Sequence, residues 1–135
     1  MAGYLTDFAN NKVLDLLFGA VTLTAPSNLY FGLSKAAATK SGTVAEPSGG
    51  GYARAAIGNN AAHFPAASLG TKSNALPISF SAPTADWGPI VSVFVADATT
   101  GGNVLAIADL PVPKTIVAGG AAPSIAAGAL FLSHT

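Results

Sequence analysis

Cysteine is absent from this chain of 135 residues. Its absence excludes disulfides and thiolate metal sites, and it leaves the redox compartment unread. Charge is scarce. Lys and Arg number 6, Asp and Glu 6, and the formal net charge is zero. Charged residues make up 9% of the chain, against about 25% in an average globular domain. The bases (Lys12, Lys35, Lys40, Arg54, Lys72 and Lys114) are scattered along the sequence. That pattern argues against a protein whose task is to neutralise nucleic-acid phosphates, so no nucleic-acid partner is expected. Long hydrophobic runs are missing too. The longest apolar stretches, Leu16–Leu23 and Pro89–Ala96, fall well short of the roughly 18 residues of a spanning helix, so no membrane partner is expected. The first residues, Met-Ala-Gly-Tyr-Leu-Thr-Asp, place no basic region ahead of an apolar one. They are not expected to form a secretory signal, and assembly in a cytoplasm is the expectation.

What the chain does have is apolar character with little charge to offset it. Hydrophobic residues make up 50%, with alanine supplying much of that. A small free monomer of this kind sticks to its neighbours unless Ser, Thr and Asn keep its surface wet or other subunits cover it. The low charge favours cover by subunits. The length suits one domain around one core, and no internal repeat is visible. Residues 1–135 are read as a single domain, with an N-terminal helical arm over 1–22 and a β-sandwich over 26–135.

A helix is expected over residues 4–18. Thr6 or Asp7 offers a cap at its start, and Gly19 follows its end. Leu14, Leu17 and Phe18 share one face at helical spacing, with Leu5 and Phe8 close in angle. Asn10, Asn11, Lys12 and Asp15 supply the polar side. Such a stripe most often packs on its own domain, and the alternative is an arm that docks on a neighbour.

After Pro26 the apolar runs become short, and Pro and Gly recur between them. Strands are expected over 28–33, 52–57 and 75–81, the last with Pro77 at its start or on an edge. A polar, glycine-rich loop spans 36–51, where Gly49-Gly50-Gly51 lets the chain turn into Tyr52. The strongest strand is 89–97. Val91, Val93 and Val95 alternate with Ile90, Ser92, Phe94 and Ala96, so both faces are apolar and the strand should be central and covered on both sides. Thr99-Thr-Gly-Gly102 turns the chain into a returning strand over 103–110. Short strands are expected at 115–117 and 129–133. The fold class is mainly β: a jelly-roll-like or Greek-key β-sandwich with one N-terminal α-helix.

Catalytic chemistry is not found in the pattern. His63, beside Phe64-Pro65, and the penultimate His134 are the only histidines, and no Gly-x-Ser-x-Gly elbow is present. Asp86, Asp97 and Asp109 flank strands. They could converge as paired carboxylates, but strand-end aspartates more often cap turns through backbone N–H groups. Neither a His-x-x-x-His pair nor a calcium loop occurs, and Asp97 with Asn103 is the nearest approach to a metal site. Trp87 either stacks on a sugar or, more often, plugs the end of a sandwich core. Arg54 pairs with a partner's carboxylate or, as favoured, with Asp86 or Glu46 of its own chain. No catalytic residue, metal or cofactor is assigned, and an enzyme is not expected.

Four blocks, taken in order, carry a resemblance. They are Asn11-Lys-Val-Leu-Asp-Leu-Leu-Phe-Gly19 with Thr24-Ala-Pro-x-x-Leu-Tyr-Phe-Gly-Leu33; Ser48-Gly-Gly-Gly-Tyr-Ala-Arg54; Ala85-Asp-Trp-Gly88 with Asp97-Ala-x-x-Gly-Gly-Asn-x-Leu105; and Lys114-Thr-Ile with Ala127-Gly-Ala-Leu130. This order resembles a family of small tailed-phage virion proteins, often labelled tail fibre. What the resemblance implies is a structural role in the particle. A fibre that trimerises along its length shows long repeats, which this chain lacks. Its size and compactness also resemble capsid decoration, or cement, proteins. The expected role is therefore a homotrimer on the capsid surface that binds the major capsid protein and stabilises the shell, with a tail-fibre component in host recognition as the alternative. The residues expected to touch other subunits are Leu14 and Phe18 on the helix, Ile90 and Phe94 on the second face of the central strand, and Arg54.

Overall fold

The computed structural model describes residues 1–134. In chain order the elements are β1 (Ala2–Leu5), α1 (Asp7–Leu17), β2 (Asn28–Ser34), β3 (Ala55–Gly58), β4 (Thr71–Ser73), β5 (Ile78–Ser79), β6 (Gly88–Ala96), β7 (Val104–Ile116), β8 (Ser124–Ile125) and β9 (Phe131–Ser133). Among the described residues the fold is mainly β with one helix, as expected. Seven strands form a single curled sheet in the order β3-β2-β6-β7-β1-β9-β4, and β5 pairs with β8 in a second, two-stranded sheet.

The β6–β7 hairpin anchors the large sheet. Asp97 closes its turn: Oδ1 accepts from the Asn103 N–H at 2.8 Å and Oδ2 from Asn103 Nδ2 at 3.0 Å. β6 lies between β2 and β7 and is covered on both faces, as its alternation required. One face carries Phe31, Leu33, Val93, Val95, Ala106 and Ala108 into the main core. Phe64, Ile78, Phe80, Trp87, Ile125 and Leu130 complete that core from the small sheet and the segments around it. The opposite face buries Phe94, Ala96 and Ile107 under Tyr4, Ala38 and Val44. Gly32 makes room there. It faces Phe94 across β2 and β6, and a Cβ on it would collide with the outer edge of the Phe94 ring.

Two expectations fail for identifiable reasons. The first concerns parity along β6. From Ser92 to Val95 the register with β7 is regular, and a second shift follows between Val95 and Ala96, but Ser92 faces Asp109 while Ile90 faces Lys114. β7 therefore spends five residues where β6 spends two. The extra length contains Pro111 and Pro113, both exposed, which have no N–H to donate to a ladder. The irregularity turns Ile90 into the main core beside Val93, away from the face that holds Phe94. It also makes 115–117 the continuation of β7 through Ile116 rather than a strand of its own.

The second concerns the N-terminus. Residues 4 and 5 are strand, not helix. β1 runs antiparallel to β7 (Gly3 opposite Ala108) and parallel to β9 (Gly3 opposite Leu132). Glycine is required at that crossing, because a Cβ would sit 2.9 Å from both Ala108 Cβ and Leu132 Cδ2. The terminal ammonium of Met1 donates to the Ala129 carbonyl at 2.6 Å, which ties the chain end to the sheet. Elsewhere the expected strands shorten: 52–57 becomes Ala55–Gly58 and 75–81 becomes Ile78–Ser79. The 36–51 loop is irregular as expected. Gly49, Gly50 and Gly51 all lie at positive φ (71, 61 and 76°), which delivers the chain into Tyr52.

Candidate functional site

α1 starts where Thr6 breaks out of β1. Its backbone is extended, and its Oγ1 caps the helix by accepting from the Ala9 N–H at 3.4 Å while donating to the Val104 carbonyl at 2.6 Å. This cap welds the helix to the start of β7 and fixes which face turns inward. Thr6 and Ala9 are buried and Val13 is partly buried, spaced at three and four residues. The stripe expected at Leu14, Leu17 and Phe18 faces outward. Their exposures are 51%, 66% and 80%. The stripe therefore does not pack on its own domain, which was the commoner expectation. After Leu17 the chain turns through Phe18 and Gly19, closed by a hydrogen bond from the Val21 N–H to the Asp15 carbonyl at 3.0 Å. Val21 and Leu23 are exposed as well. Between the helix and the returning segment runs an open groove lined by Phe8, Lys12, Val13, Leu23 and Pro26, with Asp97 also on its wall. Phe8 and Leu23 line this groove, Leu16 and Val21 are exposed as well, and none of the four was singled out as a contact. The signal was available: Leu16–Leu23 is one of the two longest apolar stretches, and it is not inside a strand.

Ile90 and Phe94 are not contact residues in this fold. Both are enclosed by their own chain, at 1% and 0% exposure. Ile90 turned with the β7 irregularity, and Phe94 lies beneath the 36–54 segment. The Arg54 guanidinium carbon stands 5.0 Å from the Phe94 ring centroid, which completes that cover.

Arg54 makes internal contacts, with Glu46 as its partner. Its Nε donates to Glu46 Oε1 at 3.0 Å and its Nη2 to Oε2 at 2.8 Å, a bidentate pair. Nη1 donates to the carbonyls of Ala98 and Gly101 at 2.7 and 2.9 Å. The Tyr52 hydroxyl donates to Glu46 Oε1 at 2.7 Å and accepts from the Leu33 N–H at 3.0 Å. This cluster ties the long loop to β2 and to the β6–β7 turn. Burial alone would raise the Glu46 carboxyl, but hydrogen bonds from Arg54 and Tyr52, with the charge of Arg54, hold it below the usual glutamate range. Burial and the neighbouring carboxylate push the Tyr52 phenol well above its ordinary value. Hydrogen bonding to Glu46 raises Arg54, which stays charged. With the guanidinium committed on both edges and its side chain 4% exposed, Arg54 has little left to offer a partner.

The remaining candidates are structural. Asp86 Oδ1 accepts from the Ala118 N–H and Asp109 Oδ1 from the Ala38 N–H, both at 2.8 Å. With Asp97 at its turn, all three aspartates cap loops at separate places and do not converge. Trp87 is buried at the end of the core. Its Nε1 donates to the Gly50 carbonyl at 2.8 Å, and its ring meets Tyr52 edge-on at 5.3 Å. His63 sits in a turn against Asn60. Among the described residues no group of three or more His, Asp or Glu is placed to hold a metal, and no helix is long and apolar enough to cross a membrane. The geometry offers a surface for contact and a set of loop clamps.

A family model described as podophage GP4 fiber I protein gp80 matches residues 4–133, nearly the whole chain. The chain belongs to this fiber I family. It is a phage virion structural protein, in agreement with the resemblance read from the motif order. The fiber I family is a structural family rather than an enzyme family. No curated protein matches the chain.

Proposed function

We propose that this chain is an architectural subunit of the fibre of a podophage particle. The observation that carries the reading is the extent of the fiber I family match, residues 4–133, which takes in both the helix and the sheet. The structure supports an architectural role over receptor contact. Trp87, the one tryptophan, is buried in the core and presents no ring to a sugar. Arg54 is saturated inside the subunit, and the exposed apolar side chains include Leu14, Leu17 and Phe18 at the helix and Leu69 and Val112 elsewhere. The capsid-decoration role, with the major capsid protein as partner, drew on compactness and low charge. A compact fibre subunit has both, so neither feature favours the shell, while the family description favours the fibre. Gold-labelled antibody against the chain, imaged on intact particles, tests this. Label confined to the fibres is the expected result. Label spread over the head would replace the proposal with capsid decoration.

A further inference from the structure

We infer that the apolar cavity between the two sheets is a binding site for a short aliphatic carboxylate, its alkyl end inside and its carboxylate at Lys114. The cavity has a volume of about 90 Å³. Leu33, Ile90 and Val93 of the large sheet form one wall, and Phe80, Pro123 and Ile125, in and beside the small sheet, form the other. Its origin is the irregularity in β7. Leu110 and Ile116 both line the cavity, but residues 111–113 between them bulge from the ladder with β6 and are exposed. The small sheet does not fill the gap, because β5 and β8 contribute two residues each. The space is thus set by the path of the backbone rather than by one side-chain rotamer.

The lining decides what the cavity takes. Leu33, Phe80, Ile90, Val93, Ile116 and Ile125 are each no more than 6% exposed, and their side chains offer water no hydrogen bond. Walls without partner atoms forfeit dispersion contacts, which an alkyl group restores. An apolar cavity of ~150 Å³ stays dry and takes benzene or xenon; this one is smaller and suits a short alkyl chain. At its mouth stand Lys114 and Ser124, the two exposed residues of the lining. Among the described residues the one ion pair is that of Arg54 with Glu46, so Lys114 is not committed to a carboxylate of its own chain. A cation beside an apolar opening favours a ligand with a negative head over one with a positive head. The site does not depend on where in the particle the chain sits.

Methyl-resolved nuclear magnetic resonance on the whole chain, titrated with sodium butanoate, tests it. Shifts are expected at the methyl groups of Ile90, Val93, Ile116 and Ile125. Butylammonium chloride is expected to bind at least ~3-fold more weakly, the modest preference of an exposed cation. Lys114→Met should erase that preference and leave the response of the same methyl groups to xenon unchanged. Val93→Ile, which puts one more carbon into the cavity, should weaken butanoate several-fold. If Val93→Ile does not fold, Leu110→Phe at the half-buried edge takes its place. Butanoate that leaves these methyl groups unmoved overturns the inference, even where xenon enters. So do shifts scattered over exposed methyl groups, or shifts that persist undiminished when the cavity is filled. Equal binding of butanoate and butylammonium also overturns it, because Lys114 then selects nothing.

Discussion

At the scale of single residues, the Arg54 cluster shows how a chain with few charges uses them. One guanidinium, one carboxylate and one phenol hold three stretches of backbone that are distant in sequence: the 46–54 loop, β2 at Leu33 and the turn after β6. Removing Arg54 leaves Glu46 half-buried without its counter-ion and frees the carbonyls of Ala98 and Gly101. Arg54→Met is expected to cost about 3 kcal/mol in urea unfolding. A loss under about 1 kcal/mol would mean that the pair contributes no more than an exposed surface bridge. The same cluster sets an acid dependence. Glu46 titrates lower in the folded chain than in the unfolded one, so its contribution is complete above the unfolded value and is lost as pH falls through the folded one. The Asp97 carboxyl, lowered mainly by the Asn103 N–H, acts in the same direction. Stability should therefore fall as pH drops from about 5 to 3, and Glu46→Gln should flatten part of that fall. If the Glu46→Gln variant loses stability with acid as steeply as the parent, the dependence belongs to the other carboxylates.

At the scale of elements, the sequence was legible where a single local pattern decided the outcome. β2, the turn at 99–102 and the central position of β6 follow from alternation and turn residues alone. Of the two caps the sequence offered, Thr6 is the one used, its hydroxyl accepting from the Ala9 N–H, although the helix begins later than residue 4. Failures came where a long-range partner decided. Ala2–Leu5 carries no strand signal of its own; Gly3 becomes strand because only a glycine fits between Ala108 and Leu132. Alternation put Ile90 with Phe94 because nothing in β6 records that its partner bulges at Pro111 and Pro113. Of the expected contacts, Leu14 and Phe18 are available at the surface, while Ile90, Phe94 and Arg54 are spent inside the subunit. A two-sided apolar strand reads the same whether its second face meets a neighbour or its own 36–54 loop. The placement of β1 also changes what the N-terminus does. Residues 1–22 are not a detachable arm, since β1 lies between β7 and β9. Without it, β9 and the edge strand β4 lose their link to the rest of the sheet. Deleting residues 1–5 is expected to abolish the cooperative thermal transition seen by circular dichroism. A truncated chain that melts like the parent would show that β9 docks without β1.

At the scale of the whole molecule, the scarcity of charge becomes a statement about forces between subunits. The isoelectric point is near 6.7 and the formal charge is zero, so subunits meeting at neutral pH experience no net repulsion for salt to screen. The charged pair of Arg54 with Glu46 lies inside one subunit, not on the outward helix face. If copies of the chain associate, the contact draws on apolar area, which screening does not weaken. Raising sodium chloride from about 50 to about 500 mM should leave the association of the chain nearly unchanged, whereas ammonium sulfate, which strengthens apolar burial, should tighten it. An association held mainly by charged side chains would respond in the opposite way, loosening steadily across the chloride series. The weight-average mass from light scattering at fixed protein concentration in the two salts separates these outcomes, because only an apolar contact is indifferent to chloride and strengthened by sulfate.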